Sequence, residues 1–178
     1  MTNGMWVFGY GSLIWNPEFP VAEQRIARVQ GWRRSFCMHS IHYRGSPEAP
    51  GLVLALDSAA EASCAGVVFR VEPGQEEATL AALRERELVS SAYLEVMLEA
   101  ESEDGQSVSA YAYVIDPDHA QYCGGLSLEE QAQIIAHAAG GRGPNRDYLW
   151  STEAHLHDLG IADPELHWLS QRVRELVA

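Results

Sequence analysis

The sequence predicts an α+β fold: a curved or barrel-like sheet with helices packed beside it and a helical C-terminal third. Three observations predict it. Short β-rich runs, punctuated by turn residues, fill the first two-thirds of the 178 residues. A single helical stretch interrupts them, and three segments with helix start and stop signals fill the rest.

The elements follow in order. Met5–Gly9 reads as the first strand, with four strand-favouring residues running into glycine. Candidate strands follow around Ile26–Val29 and Arg34–His39, with Gly31 between them. Gly51–Leu56 and Ala65–Val71 flank the polar stretch Asp57–Ser63 and read as a hairpin. The clearest hairpin is Tyr93–Glu101 with Ser107–Ile115, because Asp104-Gly105 is a strong turn signal. Between the hairpins a helix spans about Gln75 to Glu87. Ser127-Leu128-Glu129-Glu130 is a capping box, and its helix runs towards Gly140-Gly141. Gly140 to Asn145 is a loop, a further helix runs from about Arg146 to Gly160, and the last takes Asp163 as N-cap with Pro164 at its first position. No repeat or low-complexity tract divides the chain, so a single domain over 1–178 is expected.

Composition narrows the function. A formal charge of -13 with only 12 Lys and Arg argues against a nucleic-acid partner. Three widely spaced cysteines without a Cys-x-x-Cys pair disfavour zinc ribbons and disulfide scaffolds, and they suit a reducing cytoplasm. No secretory pattern opens the sequence, and no apolar run approaches the ~20 residues of a membrane span.

Two features could carry chemistry. The first is Gly9-Tyr10-Gly11-Ser12-Leu13 at the end of the first strand. Glycines on both sides of an aromatic allow a turn with positive φ, in which successive N–H groups converge on an anion or a carbonyl oxygen. The alternative is a plain turn. The second is Glu87. The helix's apolar stripe passes through Leu80 and Leu83 and reaches Glu87 four residues later, whereas Glu85 points to solvent. Such a carboxylate is either a rim glutamate or a partly buried general base. Other patterns are weaker. Cys37, His39 and His42 lack a fourth metal ligand, His155 and His157 do not share a helix face, and a dinucleotide fingerprint would need a glycine where Ile14 stands. Ser12 has no nucleophile-elbow frame.

Val7-Phe8-Gly9-Tyr10-Gly11-Ser12-Leu13-Ile14-Trp15 resembles the opening of the ChaC-type γ-glutamylcyclotransferases, which act on glutathione. The resemblance continues through Arg33-Arg34-Ser35-Phe36, His42-Tyr43-Arg44-Gly45, Pro50-Gly51, Arg86-Glu87-Leu88, Tyr93-Leu94 and Gly143 to Leu149. It implies a γ-glutamylcyclotransferase fold with a mixed, barrel-like sheet. It also implies cleavage of glutathione to 5-oxoproline and cysteinylglycine, with Glu87 as the acid/base and the main chain of Val7 to Leu13 holding the γ-glutamyl group. Arg44 and Tyr148 are further candidate substrate contacts. No metal or cofactor is implied, because the substrate carries its own nucleophile, and a monomer is expected. The loop Leu88 to Ala92 resembles the bacterial form of the family. Two alternatives stand beside this reading: the same chemistry on another γ-glutamyl amine, and a non-catalytic γ-glutamyl-binding or regulatory module.

Overall fold

The computed structural model describes residues 4–88 and 92–178. Five strands close a mixed barrel in the order β1-β3-β2-β4-β5: β1 is Trp6–Gly9, β2 Val21–Ser40, β3 Gly51–Val71, β4 Tyr93–Ser102 and β5 Ser107–Ile115. The helices are α1 (Ser12–Trp15), α2 (Glu76–Glu87), α3 (Leu128–His137), α4 (Asn145–Asp158) and α5 (Pro164–Val177). Ala139–Gly140 (β6) and Gly143–Pro144 (β7) form a small separate ladder within the expected loop.

Two compact units are distinguished, one of Met1–Arg34 with Leu56–His119 and one of Ser35–Ala55 with Ala120–Ala178. In the first, β1 runs antiparallel to β3, from Trp6↔Arg70 to Gly9↔Val67, and parallel to β5. The β4–β5 hairpin pairs without a break from Tyr93↔Ile115 to Glu101↔Ser107, and Gly105 takes the positive φ its turn demands. Val7, Leu13, Val71, Leu83 and Tyr113 form a buried cluster, with Met5, Phe19, Leu88 and Tyr93 packed against it.

The second unit is mainly helical. Its buried side chains include Ile135 of α3, Leu149 and Leu156 of α4, and Leu166, Leu169 and Val173 of α5. The capping box forms as expected, with Glu130 N–H donating to Ser127 Oγ and Ser127 N–H to Glu130 Oε1. Asp163 caps α5 by accepting from Leu166 N–H at 3.1 Å. Among the described residues no helix is long and apolar enough to cross a membrane.

Two strand expectations need correction. The pair of strands on either side of Gly31 is one continuous β2, because Gly31 at φ +84 bends the strand without ending it. The expected hairpin across Asp57–Ser63 is likewise a single strand, β3. That polar stretch holds no Gly, Pro or Asn to make a turn, and Asp57 is itself buried.

The end of β1 depends on close main-chain approach. A Cβ at Gly66 would overlap the carbonyl oxygen of Gly9 and lie 2.8 Å from Cζ of Phe8. Gly66→Ala is therefore expected to push β3 from β1 and destabilise the protein by about 1–3 kcal/mol. Chemical denaturation measures this; an unchanged midpoint would show that the strands have slack there.

Candidate functional site

The turn after β1 is built mostly from hydrogen bonds to its ends. Ile14 N–H donates to Gly11 C=O at 3.0 Å and Asn16 N–H to Ser12 C=O at 2.8 Å, giving the single helical turn α1. The amides of Ser12 and Leu13 open that turn, ahead of any acceptor within the helix. Tyr10 is fastened twice: its hydroxyl donates to Tyr113 C=O at 2.6 Å, and its own C=O accepts from Arg34 Nε at 2.7 Å. Arg34, itself buried, also donates to Ala65 C=O.

The expected positive φ is not how the two glycines serve. Gly11 has φ -141, and Gly9 is not among the positive-φ glycines, so the left-handed geometry of an N–H nest is not formed here. Gly9 is required for space: a Cβ there would lie 3.0 Å from the Phe69 ring and 3.2 Å from Leu13 Cβ. Val7 and Phe8 bury their side chains completely and pair with Phe69 and Val68. They give the turn a rigid base.

Leu13 carries the turn into the same apolar cluster that receives Leu83 and Leu88, the residues on either side of Glu87 along α2 and its cap. Glu87, the last residue of α2, keeps 16% of its side chain exposed. Burial raises its pKa; the charge of Arg86 lowers it and that of Glu18 raises it. The carbonyl end of a helix adds to the cost of a negative charge. Arg86 Nε lies 3.4 Å from Glu87 Oε1, long for a hydrogen bond, so it acts on the carboxylate as a neighbouring charge.

Glu95, a second carboxylate nearby in this unit, is held differently. Arg84 grips it with Nε at 3.0 Å and Nη2 at 2.9 Å, and that bond keeps its pKa low. Tyr113 donates its hydroxyl to Glu95 Oε1 at 3.0 Å. Burial, that hydrogen bond and the charges of Glu95 and Glu87 keep the Tyr113 phenol protonated. Two carboxylates are thus driven apart in pKa, Glu87 upward by burial and Glu95 downward by Arg84.

Arg44 and Tyr148 belong to the other unit, where both make contacts within the protein. Arg44 Nη1 donates to the carbonyls of Arg142 at 3.0 Å and Pro144 at 3.2 Å, and its guanidinium lies over the Tyr148 ring. Tyr148 is buried and accepts from Leu54 N–H at 3.2 Å. Beside it the fully buried Asn145 holds both main-chain groups of Leu52 at 2.8 Å. Among the described residues no three His, Cys, Asp or Glu side chains are placed to hold a metal ion. Val89 to Ser91, in the loop compared with the bacterial form, lie outside the described residues.

Arg86 and Tyr113 escaped the sequence reading. Arg86 stands about 100° round the helix from Glu87, off the apolar stripe, and only its adjacency to Glu87 could have marked it. Tyr113 sits in the apolar run from Ala110 to Ile115 of β5, where nothing singles it out.

A family model described as ChaC-like protein matches residues 5–176. The glutathione-specific γ-glutamylcyclotransferase of Escherichia coli strain K12 is 35% identical over 174 residues, covering 98% of this chain and 74% of that protein. The γ-glutamylcyclotransferase 2-3 of Arabidopsis thaliana is 35% identical over 180 residues, covering 98% of this chain and 90% of its own. A crystal structure of a selenomethionine-labelled yeast γ-glutamylcyclotransferase specific to glutathione superposes with a TM-score of 0.86 at 22% identity, covering 98% of this chain and 97% of that one. The fold is that of the γ-glutamylcyclotransferases. Within that class, the chain belongs to the ChaC-like family.

The buried carboxylate leads to a stability prediction. Because the folded pKa of Glu87 is raised, wild-type stability falls as pH rises through the window between its unfolded and folded values. Glu87→Gln is therefore expected to melt above the wild type at neutral pH, with the difference shrinking as the pH is lowered towards 4.5, the ordinary glutamate value. A variant less stable than wild type at neutral pH would contradict the burial account.

Proposed function

We propose that this protein is a γ-glutamylcyclotransferase that cleaves glutathione to 5-oxoproline and cysteinylglycine, with Glu87 as its acid/base. One observation carries the reading. Glu87, at the end of the apolar stripe of α2, is mostly buried with a raised pKa, and Leu83 and Leu88 on either side of it pack in the apolar cluster that receives Leu13 of the turn.

The chemistry needs few parts. The α-nitrogen of the γ-glutamyl group attacks its own γ-carbonyl, forming the C–N bond of a five-membered lactam as the amide bond to cysteine breaks. At neutral pH the α-nitrogen begins as ammonium and ends as a lactam N–H, losing two protons. The cysteine nitrogen begins as an amide N–H and ends as ammonium, gaining two. Water is not consumed. Glu87 as carboxylate accepts from the first nitrogen and returns to the second. Its raised pKa brings it closer to the nitrogens whose protons it moves. The amides that open α1 and the main chain of Gly9 to Leu13 supply donors for the α-carboxylate and the developing oxyanion. Fixing the head group in one orientation converts a flexible intramolecular attack into a directed one.

The same reading takes residues 1–178 as one functional domain, consistent with a family match spanning residues 5–176. It places the protein in the cytoplasm as a monomer acting on a small molecule, without a nucleic-acid partner. The cytosol keeps glutathione and protein thiols reduced, and Cys37, Cys64 and Cys123 are all free thiols.

Glu87→Gln is expected to lower release of 5-oxoproline from glutathione by about 10²- to 10⁴-fold while the fold is retained. In the wild type, kcat/KM should fall on the acid side as Glu87 becomes protonated, with that limb above the ordinary glutamate range because burial raises the pKa. Chromatographic assay of 5-oxoproline across pH checks both. Near wild-type turnover by the Gln variant would remove Glu87 from the mechanism.

A further inference from the structure

Arg86 is not needed to explain the proton transfers, yet its guanidinium has more oxygen neighbours than its position off the apolar stripe of α2 would suggest. Nη1 donates to the Asn16 carbonyl at 2.7 Å and lies 3.3 Å from Glu18 Oε2. Nη2 donates to Ser12 Oγ at 3.0 Å, and Nε lies 3.4 Å from Glu87 Oε1. One rigid fork therefore touches the turn, the two residues fastened behind it and the carboxylate. Four-fifths of the Arg86 side chain is shielded from water, since 19% remains exposed. Charge-assisted bonds there are stronger than those of a solvated surface arginine.

The segment that Arg86 holds is one that does not hold itself. Glu18 has φ +63 and is the one non-glycine residue with positive φ among those described. That conformation costs on the order of 1–3 kcal/mol and persists only where neighbours enforce it. The neighbours here are Asn16 Nδ2, which donates to Glu18 Oε1 at 3.0 Å, and Arg86 itself. α1 is a single turn, too short to be stable alone, and its last carbonyls lead straight into this segment. Its orientation relative to α2 therefore rests on the Leu13 packing on one side and the Arg86 fork on the other.

We propose that Arg86 is a positioning residue for cyclisation: it locks the Tyr10–Leu13 turn to the C-terminal end of α2, so that a γ-glutamyl group held on the turn meets Glu87 in one geometry. This rests on the cyclotransferase reading above. A lysine cannot replace the fork, because one ammonium on a flexible stem cannot span Ser12, Asn16 and Glu87 together. Arg86 also bears on the protonation of Glu87. The groups facing that carboxylate are Arg86 of α2, Glu18 behind α1 and the neutral Tyr113 hydroxyl of β5, which is bonded to Glu95 of β4. Of these, Arg86 alone is a cation favouring the ionised form, so its removal moves the titration of Glu87 upward.

The test measures kcat, KM and the acid limb of the pH profile for 5-oxoproline release from glutathione, with melting curves for every variant. The proteins are wild type, Arg86→Met, Arg86→Lys and Glu87→Gln. Arg86→Met is expected to lower kcat roughly ten- to a hundredfold, with a smaller change in KM and an acid limb displaced to higher pH. Arg86→Lys should restore the limb, because the charge returns, but leave kcat low, because the fork does not. A folded Arg86→Met with kcat within about twofold of wild type and an unmoved limb would overturn the proposal. Should Arg86→Met fail to fold, wild-type kcat in Arg86→Lys would overturn it instead. Absence of turnover in the wild type would overturn the cyclotransferase reading and the positioning role with it, and full turnover in Glu87→Gln would overturn Glu87 as the group that Arg86 positions against. The Arg86 outcomes above overturn the positioning role alone.

Discussion

A carboxylate held mostly out of water, with a cation beside it but not bonded to it, is the constraint on which the site depends. Burial at the end of α2 makes the charge of Glu87 expensive, and Arg86 at 3.4 Å relieves only part of that cost. Had Arg86 gripped Glu87 in the two-point manner in which Arg84 grips Glu95, the carboxylate would be fixed in its ionised form and of little use as an acid. Had the cation been absent, burial alone would favour the protonated form. The intermediate arrangement suits the proposed mechanism, in which Glu87 both takes and returns a proton.

The barrel serves this arrangement by fixing where the turn begins. β1 is only four residues long, but it lies between β3 and β5, so its last residue is placed from both sides. Gly66 lets the neighbouring strand come against the Gly9 carbonyl, and Gly9 in turn makes room for Phe69 and Leu13. Tyr10 then anchors to the main chain of Tyr113, whose own side chain enters the cluster beneath the turn. The tyrosine of the turn therefore works as a structural peg, and on the proposed function the donors for a ligand are main-chain groups.

Much of this was legible in the sequence because it follows from short-range rules. The 80, 83, 87 spacing placed Glu87 on the apolar face, and the exposed Glu85 fell on the other. The capping box at Ser127, the Asp163 cap and the Asp104-Gly105 hairpin each formed where local chemistry put them. What was not legible depends on partners distant in the chain. Gly31 looks like a break until the strands that pair on either side of it are known. Asp57–Ser63 looks like a turn on polarity alone, although it holds no Gly, Pro or Asn. The positive φ expected at Gly9 and Gly11 failed because glycine serves two needs, conformation and space, and sequence does not distinguish them. Arg86 was hidden for a similar reason: its partners Ser12 and Asn16 lie some seventy residues earlier.

The central claim is geometric: the turn holds the γ-glutamyl group so that its α-nitrogen faces Glu87. A crystal structure of Glu87→Gln soaked with glutathione addresses this most directly, because the slow variant keeps the substrate whole. The account predicts the γ-glutamyl head on the main chain of Gly9 to Leu13, with the α-nitrogen within about 3.2 Å of the residue 87 carboxamide. Glutathione bound at the turn with its α-nitrogen directed away from residue 87, or bound elsewhere on the protein, would contradict it.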